Sequence, residues 1–453
     1  MSTPQIIEAD WTWTGDRFES GVQVGVNATG RIDELGRDRT PSRRLEGAAL
    51  VPGFVNAHSH AFQRGLRGQG ERFPAGAGTF WSWREAMYGL VGALDAGALS
   101  RLCVQAFEEM LDAGITTVGE FHYVHHASNE ADYEFDHVVL DAAATAGIRI
   151  VLLNAYYATG GIGQALAGAQ RRFGSPNPET YWKQMDRLKA VLDPRSQTLG
   201  AVAHSVRAAP VEHISSLHAE AKRRGLAFHM HVEEQRREIE ECLEVYGRRP
   251  MQILNQTLEI DGNLTAVHCT HTHPEDLAQF LRAGGKVCIC PLTEANLGDG
   301  LPSLAPLALV RDRLSLGTDS NARISLLEEM RWLEYGQRLR GETRGALTDG
   351  EGQVARTVLH AATAGGARAL GIEAGQLEVG NWADLALLDL GHPALAGCDS
   401  EHLLEALVFG TDNEVILGTY VGGRWRDRCG GRRRESQNER PHLPSTLSSL
   451  RPA

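Results

Sequence analysis

Short apolar runs alternate with amphipathic stretches along most of this chain, and nearly every run ends on a polar turn rich in histidine and acidic residues. The runs cover residues 49–51, leading to Asn56, then 116–120, 149–154, 198–204, 226–229, 264–268, 287–290 and 314–318. Short apolar runs bounded by turns read as buried strands, and the longer periodic stretches between them read as helices. Repeated strand–helix alternation predicts a parallel sheet. This many units over about 300 residues predict an α/β fold of the TIM type, a (β/α)8 barrel.

The two ends break the pattern. Residues 1–51 read as short strands separated by the turn signals Thr14-Gly15-Asp16 and Ala28-Thr29-Gly30. Residues 384–389 and 414–421 read likewise, with Gly422-Gly423 as a hairpin turn. Neither end is large enough to bury a core alone. Together they predict a small β-sandwich formed from both chain ends, residues 1–51 supplying its first part and 371–429 its second, around a barrel over 52–370. Residues 430–453 are rich in Arg, Ser and Pro and predict a poorly ordered tail.

The 453 residues are 42% hydrophobic and 23% charged, the balance of an ordinary globular protein. No apolar run approaches the roughly 18 residues that span a bilayer. The first residues, MSTPQIIEADWTW, lack the basic start and apolar stretch of a secretory signal. No membrane partner is therefore expected, and a cytoplasmic location is. The net charge of −12 argues against nucleic acid as a partner. It leaves room for a small acidic substrate held by local positive groups. The seven cysteines are odd in number and include no C-x-x-C pair, so reduced thiols are expected rather than disulfides or a structural zinc site.

The chemistry-bearing residues cluster at the predicted strand ends, the rim on which barrel enzymes build their sites. His58 and His60 lie two apart, and residues two apart on a strand point to one side, so two imidazoles can converge on one ion. An isolated H-x-H is more often a pair of surface histidines in a turn. Here the surrounding residues, Pro52-Gly-Phe-Val-Asn-Ala-His-Ser-His60, resemble the first barrel strand of the amidohydrolase superfamily. The resemblance continues through Phe228-His-Met-His231 with Glu234, Val267-His268, Gly317-Thr-Asp319-Ser-Asn321, and the segments Gly375–Gly380 and Ala383-Asp384-Leu385. It implies a metal-dependent hydrolase with the small β domain described above, in which His231 is a ligand, Glu234 and His268 are catalytic, and Asp319 is both. The family commonly forms dimers, so a homodimer is expected.

His58, His60, His231 and Asp319 offer three neutral nitrogens and a carboxylate, a set suited to one divalent ion, zinc first and iron second, with a position open for water. Glu234 would move protons between that water and a leaving nitrogen. His268 would orient or deprotonate the water. Some positions have rivals. His229 faces the same way as His231, and Glu233 adjoins Glu234. His271 and His273 compete with His268 but fall beyond the strand, where they are expected to cap the next helix. His125 and His126 are expected on a solvated loop. Many two-metal relatives use a lysine from the fourth strand, and residues 198–204 contain none, so one metal is expected.

Substrate choice falls to the remaining rim groups, Gln63, Arg84, Tyr123, His204 and Arg207. Arginine matches a carboxylate with two parallel hydrogen bonds, and two arginines from different loops suit a substrate with two carboxylates. The competing reading, a surface ion-pair partner, weighs less than the functional one for Arg84 and less again for Arg207. The glycine-rich stretch from Gly65 to Gly78, before Phe80-Trp81-Ser82-Trp83, could close over the site as a lid. The segments His58–Gly68, Phe80–Arg84, His204–Arg207 and His229–Gln235 resemble the branch of the superfamily that hydrolyses N-formimino-L-glutamate to N-formyl-L-glutamate and ammonia in histidine degradation. In that branch Gln63, Arg84, Tyr123, His204 and Arg207 would contact substrate. A deaminase acting on a purine ring would share the metal set but favour stacking aromatics over paired arginines. A non-catalytic barrel scaffold would be expected to lose a ligand or the catalytic Glu, and none is lost.

Overall fold

The computed structural model describes residues 4–69, 71, 73, 76, 78–128, 131–305 and 311–428. Eight strands lie side by side in chain order and run parallel: Phe54–Ser59, Ile115–His122, Arg149–Tyr156, Gln197–Ala203, Phe228–Val232, Leu264–His268, Lys286–Ile289 and Leu314–Leu316. They are the first to eighth strands of the expected barrel. The second and third are buried at all their positions, the pattern of a parallel sheet covered on both faces.

Local sequence explains the helices between them. Asp95 accepts from the Ala98 amide at 2.7 Å and caps Ala96–Asp112. Asn177 caps Pro178–Lys189, where proline occupies a first-turn position that needs no amide hydrogen. Gly147 and Gly225 end their helices at φ of 84° and 68°, a left-handed turn that sends the chain straight into the next strand.

The eighth strand has only three residues, and closure against the first falls to the residues just past it. The Asp319 amide donates to the His58 carbonyl at 3.0 Å, and the His60 amide donates to the Asp319 carbonyl at 2.9 Å.

The chain ends build one mixed eight-stranded sheet. Its order is Arg424–Asp427, Ile416–Val421, Leu385–Asp389, Arg43–Pro52, Gln5–Trp13, Gln23–Val26 and Ile32–Gly36, with Phe18–Glu19 paired to Gln5–Trp13. Ile7, Val24, Ile32, Leu50, Leu385 and Tyr420 form a core of its own. The run 49–51, read above as leading into the first barrel strand, belongs instead to this sheet: Leu385 pairs with Pro52 and Leu387 with Leu50. The chain crosses into the barrel at Gly53, where a Cβ would sit 2.1 Å from Thr116 Oγ1. The tail at 430–453 lies outside the described residues, as do several positions of the stretch expected to form a lid. Among the described residues, no helix is long and apolar enough to cross a membrane.

Barrel and sheet are joined through a buried ion pair. Arg149 donates from Nε to Asp384 Oδ2 at 2.6 Å and from Nη2 to Oδ1 at 3.1 Å, and its guanidinium lies 4.0 Å from the Trp382 ring centre. The Gly422 amide also donates to Asp384, at 3.0 Å. This gives Asp384 a physical reason to stand where it does. Breaking a buried pair by removing one partner costs about 3–5 kcal/mol, because the other charge is left stranded. Asp384→Ala should therefore lower the melting temperature in scanning calorimetry markedly. The apolar double variant Asp384→Leu with Arg149→Met should recover much of the loss.

Candidate functional site

The strand ends converge on one buried cluster. His58, His231, His268 and Asp319 each place a ligand-type atom within 4.8 Å of the others. His58 Nε2 stands 3.1 Å from His231 Nε2 and 3.4 Å from Asp319 Oδ1. His60 Nε2 is 3.3 Å from the same carboxylate oxygen. A tetrahedral ion with bonds of about 2.0–2.1 Å sets its donors about 3.3 Å apart, so these separations fit one ion.

The outer nitrogens are set for that purpose. His60 Nδ1 donates to the Phe121 carbonyl at 2.7 Å, and His231 Nδ1 to the His204 carbonyl at 3.1 Å. Each bond leaves an Nε2 lone pair facing inward. Burial holds His58, His60 and His231 below the usual imidazole range, His58 down to about 3, so all three are neutral as ligands must be. His58 Nδ1 has no hydrogen-bond partner among the described residues, so His58 can carry its proton there and turn an Nε2 lone pair, like that of His231, toward a cation. The residues present therefore fit a metal ion.

His268 stands beside this group. Its Nε2 is 3.8 Å from Asp319 Oδ2 and 3.9 Å from Glu234 Oε1, and its Nδ1 is 3.4 Å from Glu294 Oε1. Burial pushes this imidazole down, but Glu234, Glu294 and Asp319 outweigh burial and raise it to about 10. Burial also raises Glu234, helped by the charges on Asp319 and Glu294. The surplus of carboxylates that holds a proton on His268 is the field a divalent cation would neutralise.

A cavity opens above the cluster. Its lining brings together Gln63, Arg84, Tyr123, His204 and Arg207 with His60, His231, Glu234, His268 and Asp319. Gln63 Nε2 donates to Tyr123 Oη at 2.9 Å, and Gln63 Oε1 is buried with no protein partner among the described residues. Arg207 is buried, with Nε 3.4 Å from Glu238 Oε1. Arg84, on the helix Phe80–Ala93, donates from Nε to Tyr88 Oη at 2.5 Å.

The rivals go elsewhere. His229 hydrogen-bonds the Ala369 carbonyl at 2.8 Å, away from the cluster. Glu233 turns into the wall, accepting from the Met251 amide at 3.1 Å and pairing with Arg249 at 3.4 Å. His273 stands at the N-cap of Pro274–Ala283, and neither it nor His271 joins the cluster. The expectation for His125 and His126 is wrong: both are buried. His125 bonds Asp136 Oδ1 and the Ala155 carbonyl, each at 2.7 Å, and His126 bonds the Gly174 carbonyl at 2.8 Å. Asp136 lies 3.0 Å from His122 and also accepts from Asn154 and Gln184, so it is the hub of a second buried His/Asp group, in which His122 Nε2 and Asn154 Oδ1 have no hydrogen-bond partner among the described residues.

Several groups lining the pocket or standing behind its residues escaped the sequence reading. Tyr88 follows Arg84 by four residues, a helical neighbour that spacing could have found. Tyr157, Phe173, Glu238 and Glu294 carry no comparable signal.

The sequence profile of the amidohydrolase family matches residues 49–426. The chain is 38% identical over 427 residues to formimidoylglutamate deiminase of Pseudomonas aeruginosa, covering 92% of this chain and 94% of that one. It is 27% identical over 431 residues to 5-methylthioadenosine/S-adenosylhomocysteine deaminase of Natronomonas pharaonis, covering 93% and 92%. An amidohydrolase structure from Brucella melitensis superposes with a TM-score of 0.83 at 31% identity, covering 94% of this chain and 96% of that one. On site, fold and sequence together, the chain belongs to the amidohydrolase family.

Proposed function

We propose that this protein holds one divalent ion, zinc by the donor set, through His58, His60, His231 and Asp319, and hydrolyses the amidine of N-formimino-L-glutamate to N-formyl-L-glutamate and ammonia. The observation that carries the substrate is the placement of Arg84 and Arg207, from separate elements, in one pocket with the His/Asp cluster. The identity to a formimidoylglutamate deiminase over nearly the whole chain supports it. A neutral purine would leave Arg84 without an anion among the described residues and Arg207 with Glu238 alone, a poor use of charge in a pocket. Two carboxylates at one end of an acyclic substrate satisfy them and leave the amidine carbon free to reach the cluster.

When bound, such an ion supplies a hydroxide nucleophile near neutral pH, since zinc lowers the pKa of water from about 15.7 to about 7. The chain's own groups do the rest. Arg207 and Arg84 grip the carboxylates, with His204 and Tyr123 adding hydrogen bonds. Gln63 Oε1 is an acceptor suited to an amidine N–H. The new C–O bond forms at the amidine carbon, the C–N bond breaks, and the terminal nitrogen leaves as ammonia carrying both protons of the water. Glu234, whose burial strengthens its hold on a proton, moves them to that nitrogen one after the other. His268 orients the attacking water.

Elemental analysis should find about one equivalent of metal per chain, and chelation should abolish turnover until metal is restored. Asp319→Ala should lose turnover altogether; two equivalents, or activity without metal, would overturn the single-ion site. Glu234→Gln should keep its metal and lose about 10²–10⁴-fold in rate, since it moves protons rather than binding the ion. Metal loss in that variant would make Glu234 a ligand. Truncating one partner of a desolvated charge pair costs about 2–5 kcal/mol, so Arg207→Ala should lower kcat/KM for N-formimino-L-glutamate by about 30-fold to several thousand-fold. A formimino compound without carboxylates should be far less affected. Ammonia from a purine ring, and none from N-formimino-L-glutamate, would overturn the substrate.

A further inference from the structure

Tyr88 lies one helical turn beyond Arg84 and lines the same cavity. Its hydroxyl oxygen receives two hydrogen bonds from groups that can only donate there. One comes from Arg84 Nε at 2.5 Å. The other comes from Gln170 Nε2 at 3.0 Å. The orientation of the Gln170 amide is fixed by two backbone groups: Oε1 accepts from the Ala167 amide at 3.3 Å, and Nε2 donates to the Gly160 carbonyl at 3.1 Å. Gln170 therefore presents an N–H, not an oxygen, to Tyr88. A guanidinium nitrogen never accepts.

The Tyr88 oxygen is thus used as an acceptor twice, and its own proton must point elsewhere. No side chain or backbone oxygen among the described residues takes that proton. The neighbouring pocket groups Arg84 and Arg207 are donors too. A half-buried cavity wall that offers an unclaimed O–H beside two guanidinium groups is built for an acceptor-only group, which is a carboxylate.

We infer that the Tyr88 hydroxyl donates to a carboxylate of the substrate, and that Gln170 is a positioning residue that aims this proton into the cavity. The inference rests on the reading of the substrate as a dicarboxylate and adds to it a third donor and the device that orients it. Gln170 touches no substrate; by donating to one side of the Tyr88 oxygen it denies that direction to the O–H and leaves it the cavity side.

The test is steady-state kinetics of Tyr88→Phe, which keeps the ring and deletes the donor together with the oxygen that holds Arg84 Nε, two losses that the Gln170 variants separate because they keep that oxygen. With N-formimino-L-glutamate, kcat/KM should fall about 10- to 100-fold, the range for a hydrogen bond to a charged group, mostly through KM. The inhibition constant of N-formyl-L-glutamate should rise by a similar factor. A formimino compound of an uncharged amine should show little change. Gln170→Glu would offer Tyr88 an acceptor and turn its proton away from the cavity. That variant should reproduce the loss, and the double variant should be no worse than Tyr88→Phe alone. Gln170→Leu, which removes a donor but offers no acceptor, should lose much less. Wild-type kinetics in Tyr88→Phe, an equal loss on the uncharged compound, or additive losses in the double variant would each overturn the inference while leaving the substrate reading intact. A wild-type protein that releases no ammonia from N-formimino-L-glutamate would overturn the substrate reading, and this inference with it.

Discussion

The seam between the first and eighth barrel strands is the constraint on which the rest depends. The strands alone cannot close it, because the eighth ends after three residues. The Asp319 and His58 backbones close it, and their side chains face the centre of the cluster. A side-chain relay reinforces the joint: Asn56 Oδ1 accepts from the Thr318 amide at 3.0 Å, Thr318 Oγ1 donates to Asn321 Oδ1 at 2.6 Å, and Asn321 Nδ2 donates to Ser59 Oγ at 3.0 Å. The approach is so close that a Cβ at Gly317 would fall 2.7 Å from His58 Cβ. Barrel closure and the spacing of His58, His60 and Asp319 are therefore one geometric fact, and a change that loosens one disturbs the other.

Charge is sorted across the cavity in a way that follows from this joint. Carboxylates collect around the cluster: Asp319, Glu234 and Glu294, with Asp299 raised to about 8 by burial and by Glu234. Guanidinium groups collect on the wall at Arg84 and Arg207. Burial raises the Glu238 carboxyl behind Arg207 to about 7, although Arg207 opposes the rise, so the positive charge at the wall is only partly compensated. A glutamate-derived tail carries negative charge, and the neutral amidine at the other end carries none. Such a molecule matches the cavity end for end, which fixes its direction before any single hydrogen bond does.

Much of this was legible in the sequence, and the parts that were not have physical reasons. His58, His60, His231, His268 and Asp319 sit at strand ends, where a two-residue alternation and a fixed rim translate spacing into position. Arg84 and Arg207 could be paired because their chemistry is distinctive even when their loops are not. The run 49–51 was counted with the barrel runs because the last residues of the strand Arg43–Pro52 and the strand after Gly53 are both apolar, and hydrophobicity alone carries no mark of the turn between two sheets. His125 and His126 were misread because a polar residue in a loop looks solvated unless its partner is known. Their partners, Asp136 and the Ala155 and Gly174 carbonyls, come from other segments. Glu238 and Glu294 were missed for the same reason: each matters through a contact with a residue distant in sequence.

The backbone at the rim shows what such positioning costs. Glu233, His268, Cys269, Asp319 and Asn321 all have positive φ, between 44° and 73°, where residues other than glycine are uncommon. Each such residue costs on the order of 1–3 kcal/mol and persists only when its surroundings over-determine it. Here they do. The Cys269 amide donates to the Val232 carbonyl at 3.1 Å, the His271 amide to the Glu233 carbonyl at 3.1 Å, and the Asn321 amide to the Thr318 carbonyl at 3.0 Å. Regular strands would carry successive side chains to alternate faces and then away from the axis. Instead the backbone turns left-handed at His268, the last residue of its strand, and at Asp319, just past the eighth strand, and both side chains line the cavity. The same turn at Glu233 sends that carboxylate into the wall and leaves Glu234 facing the cavity, so the choice between two adjacent acids is made by one backbone angle rather than by the acids themselves.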